Sequence, residues 1–195
     1  SKKRIPNLRV NAFLPRTVEL LAKHDIVGVV APTGTGKTAG VPPCLSLAFQ
    51  TTIWVTVPTR SATKIADWVR GFYPDLSFGT AANSIRTYSR RTDVVYMTTG
   101  HMYLKLLGIL RRLRAERRRA KEDGVEMAKE KPSSLPGILM IDETHHPSTE
   151  NFCLLKLMKY IKKEFVFAMP KLIVSSATFG VEAFVKDFPS AQMMT

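Results

Sequence analysis

The chain alternates short apolar runs with longer amphipathic segments along its whole length. The apolar runs are rich in Val, Ile and Thr and predict strands at 26–31, 51–57, 76–80, 93–98, 137–141 and 171–175. Helical spacing of apolar residues predicts helices at 15–24, 37–49, 60–70, from near 100, at 150–162 and at 181–187. Continuous apolar strands are typical of a parallel sheet that is covered on both faces. The pattern therefore predicts an α/β fold with three α-β-α layers and a mostly parallel central sheet.

A glycine-rich segment follows the first predicted strand. Ala31–Thr38 matches the phosphate-loop pattern G-x-x-x-x-G-K-[ST], with Ala31 in place of the first glycine. Small residues let backbone N–H groups surround phosphates, and the helix N-terminus adds a positive dipole. The pattern predicts that Lys37 reaches the β- and γ-phosphates and that the Thr38 hydroxyl ligates Mg²⁺. The predicted nucleotide contacts are Thr33, Gly34, Thr35, Gly36, Lys37 and Thr38.

Two acidic residues, Asp142 and Glu143, follow the predicted strand at 137–141. In nucleotide hydrolases the first acid at such a position binds Mg²⁺, and the second orients and deprotonates the attacking water. Ligands of parallel sheets bind at the carboxyl ends of the strands. We therefore expect Lys37, Asp142 and Ser176 to meet at one edge of the sheet.

The charge of the chain favours a polyanionic partner. Lys and Arg number 29 against 16 Asp and Glu, which gives a net charge of +13. Nucleic acid is the first expectation and an anionic membrane surface the second. Six arginines lie within Arg111–Arg119, which is predicted to be a long helix that runs into a solvated loop. This run either contacts phosphates or forms a solvated helix face, and the sequence favours neither.

Several classes of protein are disfavoured by the remaining features. There is no apolar run of membrane-spanning length and no signal peptide, so no membrane span is expected. The two cysteines, Cys44 and Cys153, match neither a disulfide framework nor a zinc pattern, so buried thiols in a reducing, cytoplasmic compartment are expected. The chain opens on Ser1, which suggests a piece of a longer protein.

Five motifs in order resemble those of a superfamily 2 helicase of the DExH branch, which holds the DEAH-box RNA helicases and the flavivirus- and potyvirus-type helicases. The matching segments are Ala31–Thr38, Val57–Arg60, Tyr96–Met102, Asp142–His145 and Ser175–Thr178. The resemblance implies the first motor domain only, with the RecA-like fold of the P-loop NTPases over 14–195. Residues 1–13 would form a basic arm, and about 108–135 a basic insertion.

The resemblance also implies roles for single residues. Glu143 would be the catalytic base, with Lys37, Asp142 and His145 beside it in a site for ATP or another NTP with Mg²⁺. Ser176 and Thr178 would couple hydrolysis to movement of the nucleic-acid strand. The residues implied along the nucleic-acid backbone are Pro58, Thr59, Arg60, Arg86, Thr99 and Gly100. Such contacts carry little base specificity.

The function that follows is an NTP-dependent RNA helicase domain that binds single-stranded RNA, with DNA as a possible partner. The Gly-Lys-Thr-Ala-Gly-Val-Pro stretch from Gly36 resembles viral members, which suggests a viral polyprotein in the host cytoplasm. The second RecA-like domain would be a partner within the same parent chain and would supply the arginine finger, so the isolated domain is expected to be weakly active or inactive. Two alternatives stay open: a superfamily 2 DNA translocase, and a non-catalytic nucleic-acid-binding module on an NTPase fold.

Overall fold

One eight-stranded sheet organises the chain. The computed structural model describes residues 8–32, 34–58, 61–82, 84–142, 148–177 and 181–194, with only the backbone at 181–183. The strands are β1 Ile26–Val30, β2 Ile53–Thr56, β3 Phe78–Ala82, β4 Ile85–Arg86, β5 Val94–Met97, β6 Ile138–Ile141, β7 Lys171–Ser176 and β8 Gln192–Met194. The helices are α1 Leu14–Lys23, α2 Lys37–Phe49, α3 Ala62–Arg70, α4 Thr99–Glu122, α5 Thr149–Glu164 and α6 Val181–Asp187. Short 3-10 turns lie at Arg9–Ala12 and Val166–Ala168.

The sheet is parallel except at one end. Its strand order is β4-β3-β5-β2-β6-β7-β1-β8, and only β4 pairs antiparallel, with β3. Parallel alignment brings the carboxyl ends of β5, β2, β6, β7 and β1 to the same edge. Every loop that follows one of these strands therefore opens on that edge.

Alternating strand residues feed two separate cores. On β5, Val95 and Met97 pack with α4 and α5, whereas Val94 and Tyr96 pack with α1, α2 and α3. Strand side chains alternate between faces, so a strand that is buried throughout must supply apolar residues to both. This confirms the predicted α-β-α layering.

Most predicted elements appear with small shifts of their ends. Two strands were missed, β4 and β8, because segments of two or three residues carry no periodic signal. Met193 and Met194 lie in β8 beside β1, and the Met193 side chain covers Gly28.

The tryptophans and cysteines differ in burial. Trp54 is in the core, whereas Trp68 is 46% exposed and packs on Phe72 at the surface, with ring centroids 4.7 Å apart. Cys44 and Cys153 are free but only half-buried, where buried thiols were expected. Burial still raises the pKa of the Cys44 thiol. None of the helices in the described part of the chain combines the length and apolarity needed to cross a bilayer.

The arginine-rich run forms the second half of α4, and its members have different surroundings. Arg114 lies over the ring of Tyr160, with its guanidinium carbon 4.8 Å from the centroid, and also donates to the Tyr160 hydroxyl at 2.6 Å. Arg117 lies over Phe165 and pairs with Glu164 at 3.3 Å. These two arginines join α4 to α5, whereas Arg118 and Arg119 are exposed.

Gly137, just before β6, is tightly packed, and Gly108 in α4 offers a comparison without close neighbours. A Cβ added at Gly137 would lie 2.0 Å from the Thr51 hydroxyl oxygen, whereas one added at Gly108 in α4 meets open space. We expect Gly137→Ala to lower the free energy of unfolding by about 1–3 kcal/mol, because the short Thr51 side chain is close to its own backbone and cannot move far. Gly108→Ala should raise it by roughly 0.5–1 kcal/mol through helix propensity. Urea unfolding measures both, and equal effects of the two variants would contradict the packing described here.

Candidate nucleotide and nucleic-acid site

The glycine-rich loop joins the carboxyl end of β1 to the first residue of α2. Gly34 and Gly36 have φ angles of 78° and 88°, in the left-handed region that favours glycine. α2 begins at Lys37, and Ala39 and Gly40 of its first turn donate to the Gly36 carbonyl oxygen, whereas the N–H groups before them have no carbonyl four residues earlier within the helix. Such a helix terminus is suited to bind an anion such as a phosphate group.

The Lys37 ammonium lies inside the loop. It donates to the carbonyl oxygens of Ala31 at 2.6 Å and Pro32 at 2.9 Å, and the residue is only 7% exposed. The two carbonyl oxygens hold the Lys37 ammonium close to the helix terminus. It is therefore available to exchange these carbonyls for phosphate oxygens.

Asp142 lies directly after β6 and is bound from three other elements. Its carboxylate accepts hydrogen bonds from the Thr38 hydroxyl of α2 and from the Ser175 hydroxyl of β7. Its backbone N–H donates to the Thr56 hydroxyl oxygen of β2 at 2.9 Å. The contact between Thr38 and Asp142 joins positions that are 104 residues apart and places the two predicted metal ligands together.

A hydrogen bond from Tyr96 of β5 also holds the start of α2. The phenol donates to the Thr38 carbonyl oxygen at 3.1 Å, and the residue is fully buried. Burial, with smaller effects of Tyr73 and Asp142, raises the pKa of Tyr96. The phenol therefore remains a neutral donor at any physiological pH.

Part of the predicted N-terminal arm packs on the loop. The Val10 N–H donates to the Thr35 carbonyl oxygen at 2.9 Å, and the Val10 side chain is 1% exposed. The Leu8 side chain lies against Gly36, and a Cβ added at Gly36 would be 3.0 Å from it. The Val10 side chain lies against Gly40, and a Cβ added at Gly40 would be 2.7 Å from it. Gly36 thus permits the loop conformation and also leaves room for Leu8, whereas Gly40 leaves room for Val10.

The predicted coupling residue Ser176 ends β7 beside the glycine-rich loop. Its carbonyl oxygen accepts a hydrogen bond from the Ala31 N–H at 3.1 Å. β7 therefore touches both halves of the site, through the Ser176 backbone at the loop and the Ser175 hydroxyl at Asp142.

The described members of the predicted nucleic-acid path lie along the other half of the same edge. Pro58 follows β2 and is exposed, and Arg86 is exposed on β4 opposite Ala81 near the carboxyl end of β3. Thr99 and Gly100 begin α4 after β5. Thr99 donates to the Asn151 side-chain oxygen at 3.2 Å, and Gly100 faces Glu150. The described residues that are predicted to bind nucleotide lie at or after β1, β7 and β6, and those predicted to bind nucleic acid lie at or after β2, β5 and β4.

Several predicted site residues fall outside the described ranges. They are Thr33, Thr59, Arg60, Glu143, His145 and Thr178. Their predicted roles therefore remain predictions.

Sequence reasoning missed three residues that hold the described site together. Thr56, Tyr96 and Ser175 bind Asp142 or Thr38 directly, but each occurs within an apolar strand and reads as a core residue. The sequence signal that could have found them is a polar residue near the carboxyl end of an otherwise apolar strand, because that end lies at the ligand-binding edge of a parallel sheet.

The fold and the loop together define the class of the protein. A mostly parallel sheet between two helical layers, with a glycine-rich loop between β1 and α2, is the RecA-like α/β fold of the P-loop NTPases. The crystal structure of the DEAH/RHA helicase HrpB from Escherichia coli shares this fold with a TM-score of 0.67 and 20% identity, over 96% of this chain and 22% of that one.

A sequence relative points in the same direction. The ATP-dependent RNA helicase HrpA of Borreliella burgdorferi is 28% identical over 196 residues, which cover 96% of this chain. The chain spans only 21% of the length of that relative. No family model matches the chain. The similarities support a relation to helicases of the DExH type, at the scale of one domain.

Replacement of Tyr96 by Phe tests how far the start of α2 depends on β5. We expect Tyr96→Phe to lower the free energy of unfolding by about 1–3 kcal/mol, because the part-buried Thr38 carbonyl oxygen loses its donor. Tyr103→Phe, which changes a half-buried tyrosine of α4 in the same way, should stay within about 0.5 kcal/mol. Equal losses for the two variants in urea unfolding would show that the Tyr96 hydrogen bond contributes nothing specific.

Proposed function

We propose that this chain is the first motor domain of a DExH-type, NTP-dependent RNA helicase. The observation that carries the proposal is the contact between Thr38 and Asp142 beside the α2 terminus. It brings the hydroxyl of the glycine-rich loop to the acid that follows β6, which is the pairing that Mg²⁺–NTP binding requires. Similarity to an ATP-dependent RNA helicase over nearly the whole chain supports the same function.

The described residues fit Mg²⁺ in their chemistry. Mg²⁺ prefers hard oxygen ligands and is usually bound by one or two carboxylates, substrate phosphates and water. Thr38 and Asp142 supply a hydroxyl and a carboxylate oxygen that already touch. When bound, Mg²⁺ would neutralise charge on the β- and γ-phosphoryl oxygens.

The protein residues divide the remaining work. The loop N–H groups and the α2 terminus bind the phosphates, with Thr33 to Gly36 in the loop itself. Lys37 exchanges its two carbonyl partners for β- and γ-phosphate oxygens and stabilises negative charge there. Glu143 would accept a proton from the attacking water, and His145 would help to link the nucleotide to Ser176 and Thr178. The proton leaves the water as its oxygen bonds to the γ-phosphorus, and the bond to the leaving diphosphate breaks.

Nucleic acid would follow the other half of the carboxyl edge. Pro58, Thr59, Arg60, Arg86, Thr99 and Gly100 would contact phosphate and sugar, so single-stranded RNA would bind with little base specificity. Ser176 and Thr178 would transmit the state of the nucleotide. Ser176 is suited to this because its backbone is bonded to the loop, while β7 also carries the Ser175 contact to Asp142.

The proposal includes a second motor domain of the same parent chain. That domain would complete the site with an arginine finger, so we expect slow or no turnover by this chain alone. The relatives named above are bacterial proteins, and the viral origin suggested by the Gly36 stretch finds no support in them.

Nucleotide binding by this chain alone is the first test. We expect a fluorescent ATP analogue to bind in the presence of Mg²⁺ and binding to weaken when the metal is chelated. Lys37→Ala should weaken binding by roughly tenfold or more through loss of a charge-assisted contact. Thr38→Val should remove most of the Mg²⁺ dependence, because one of its two protein ligands is gone. Lys64→Ala, an exposed lysine of α3, is the matched control. Equal affinity of Lys37→Ala and the control for the ATP analogue would contradict the proposal.

Hydrolysis by a longer chain that contains the second domain tests the motor function. We expect single-stranded RNA to stimulate turnover, and Glu143→Gln to abolish turnover while ATP still binds. RNA-stimulated hydrolysis that survives Lys37→Ala would contradict the motor function. Stimulation by DNA alone would favour the translocase, and ATP binding without any turnover would favour a non-catalytic module.

A further inference from the structure

A cavity opens at the opposite edge of the sheet, away from the glycine-rich loop. It has a volume of about 230 Å³ and lies at the amino ends of β2 and β6. Trp54 of β2 forms its floor, and α4 and the segments 88–90 and 133–136 form its walls. Among the residues that the structure describes, those proposed above for NTP and RNA lie near the carboxyl edge, and none of them lines this cavity.

A lysine is fixed between two aromatic rings at the floor of the cavity. The Lys105 ammonium of α4 lies 4.7 Å from the Trp54 ring centroid and 4.5 Å from that of Tyr88. It donates to the Tyr88 hydroxyl at 2.8 Å. An ammonium has three donor hydrogens, so this bond leaves two that can serve a ligand. Cation–π contacts with both rings orient it there.

The sheet is shaped to admit this arrangement. Gly79, Val95, Trp54 and Leu139 lie in register on four adjacent strands. An added Cβ at Gly79 would lie 2.5 Å from the Cβ of Tyr88, so the glycine lets the segment after β4 cross the sheet. Tyr88 reaches Lys105 for this reason.

Two arginines complete the charge of the cavity. Arg90 and Arg112 both line it and are exposed, and none of the described residues that line it is acidic. In the part of the chain that the structure describes, neither guanidinium is paired with a carboxylate. Three positive side chains therefore surround a small polar cavity without a compensating negative charge.

We propose that this cavity binds a phosphate group of a single-stranded nucleic acid, at a site separate from both the NTP site and the carboxyl-edge path. The planar guanidinium groups of Arg90 and Arg112 can each donate two parallel hydrogen bonds to phosphate oxygens, and the Lys105 ammonium adds two more donors. A nucleic acid fits better than a free nucleotide, because Lys105, Arg112 and Arg119 recur every seven residues on one face of α4, at intervals of about 10 Å. This row continues the positive charge of the cavity along the helix. The site does not depend on the function proposed above.

The test combines variants of the cavity arginines with a reporter in its floor. The chain has two tryptophans, so Trp68→Phe leaves Trp54 as the fluorescent group. In this background a short oligouridine RNA, adenosine monophosphate and inorganic phosphate are titrated at low salt. Arg90→Ser/Arg112→Ser removes two exposed charges at the cavity. Lys163→Ser/Lys186→Ser removes two exposed charges from α5 and α6 and is the matched control.

We expect the RNA to change Trp54 fluorescence with saturation, and the arginine variant to bind about tenfold more weakly than the control. Its log–log slope of affinity against salt should be shallower by roughly 0.7, which is the contribution of the one phosphate contact that is lost. If adenosine monophosphate or inorganic phosphate changes Trp54 fluorescence but RNA does not, the cavity is a phosphate site whose ligand is not a nucleic acid. Equal RNA affinity of the two double variants, or no Trp54 response to any probe, would overturn the proposal.

Discussion

The arrangement of the site depends on the binding of Asp142 by neighbouring elements. Its carboxylate accepts from Thr38 and Ser175, and its backbone donates to Thr56. A buried carboxylate must be hydrogen-bonded, because loss of water is otherwise costly. Asp142 therefore holds α2, β2 and β7 in fixed relation to β6, and any ligand that draws Thr38 or Asp142 toward itself acts on all of them.

This constraint also defines how the two halves of the carboxyl edge can communicate. The proposed nucleotide residues lie on β1, β7 and β6, and the proposed nucleic-acid residues lie on β2, β5 and β4. The halves meet between β2 and β6, where Thr56 accepts the Asp142 N–H. Tyr96 provides a second link, since it belongs to β5 but binds the first turn of α2. Both links are hydrogen bonds between uncharged groups, and each joins an element of one half directly to an element of the other.

Helix α4 extends this organisation beyond a single edge. It begins at the carboxyl edge with Thr99 and Gly100 and runs past the sheet to Glu122. Its Lys105 and Arg112 reach the cavity at the amino edge, while Arg114 and Arg117 pack on α5. The dense arginine run is thus not one uniform surface. Part of it stabilises the α4–α5 contact, and part remains exposed for a ligand.

The sequence by itself determined the alternating elements, the glycine-rich loop and the acid that follows β6, because these depend on local periodicity and on short spacings. The fold followed from the same periodicity. Only the tertiary structure decided that Thr56, Tyr96 and Ser175 contact the site and that Trp68 faces solvent. The reason is strand register. A contact between Thr38 and Asp142 spans 104 residues, and which side chains meet across the sheet depends on how distant strands align, which no local pattern encodes.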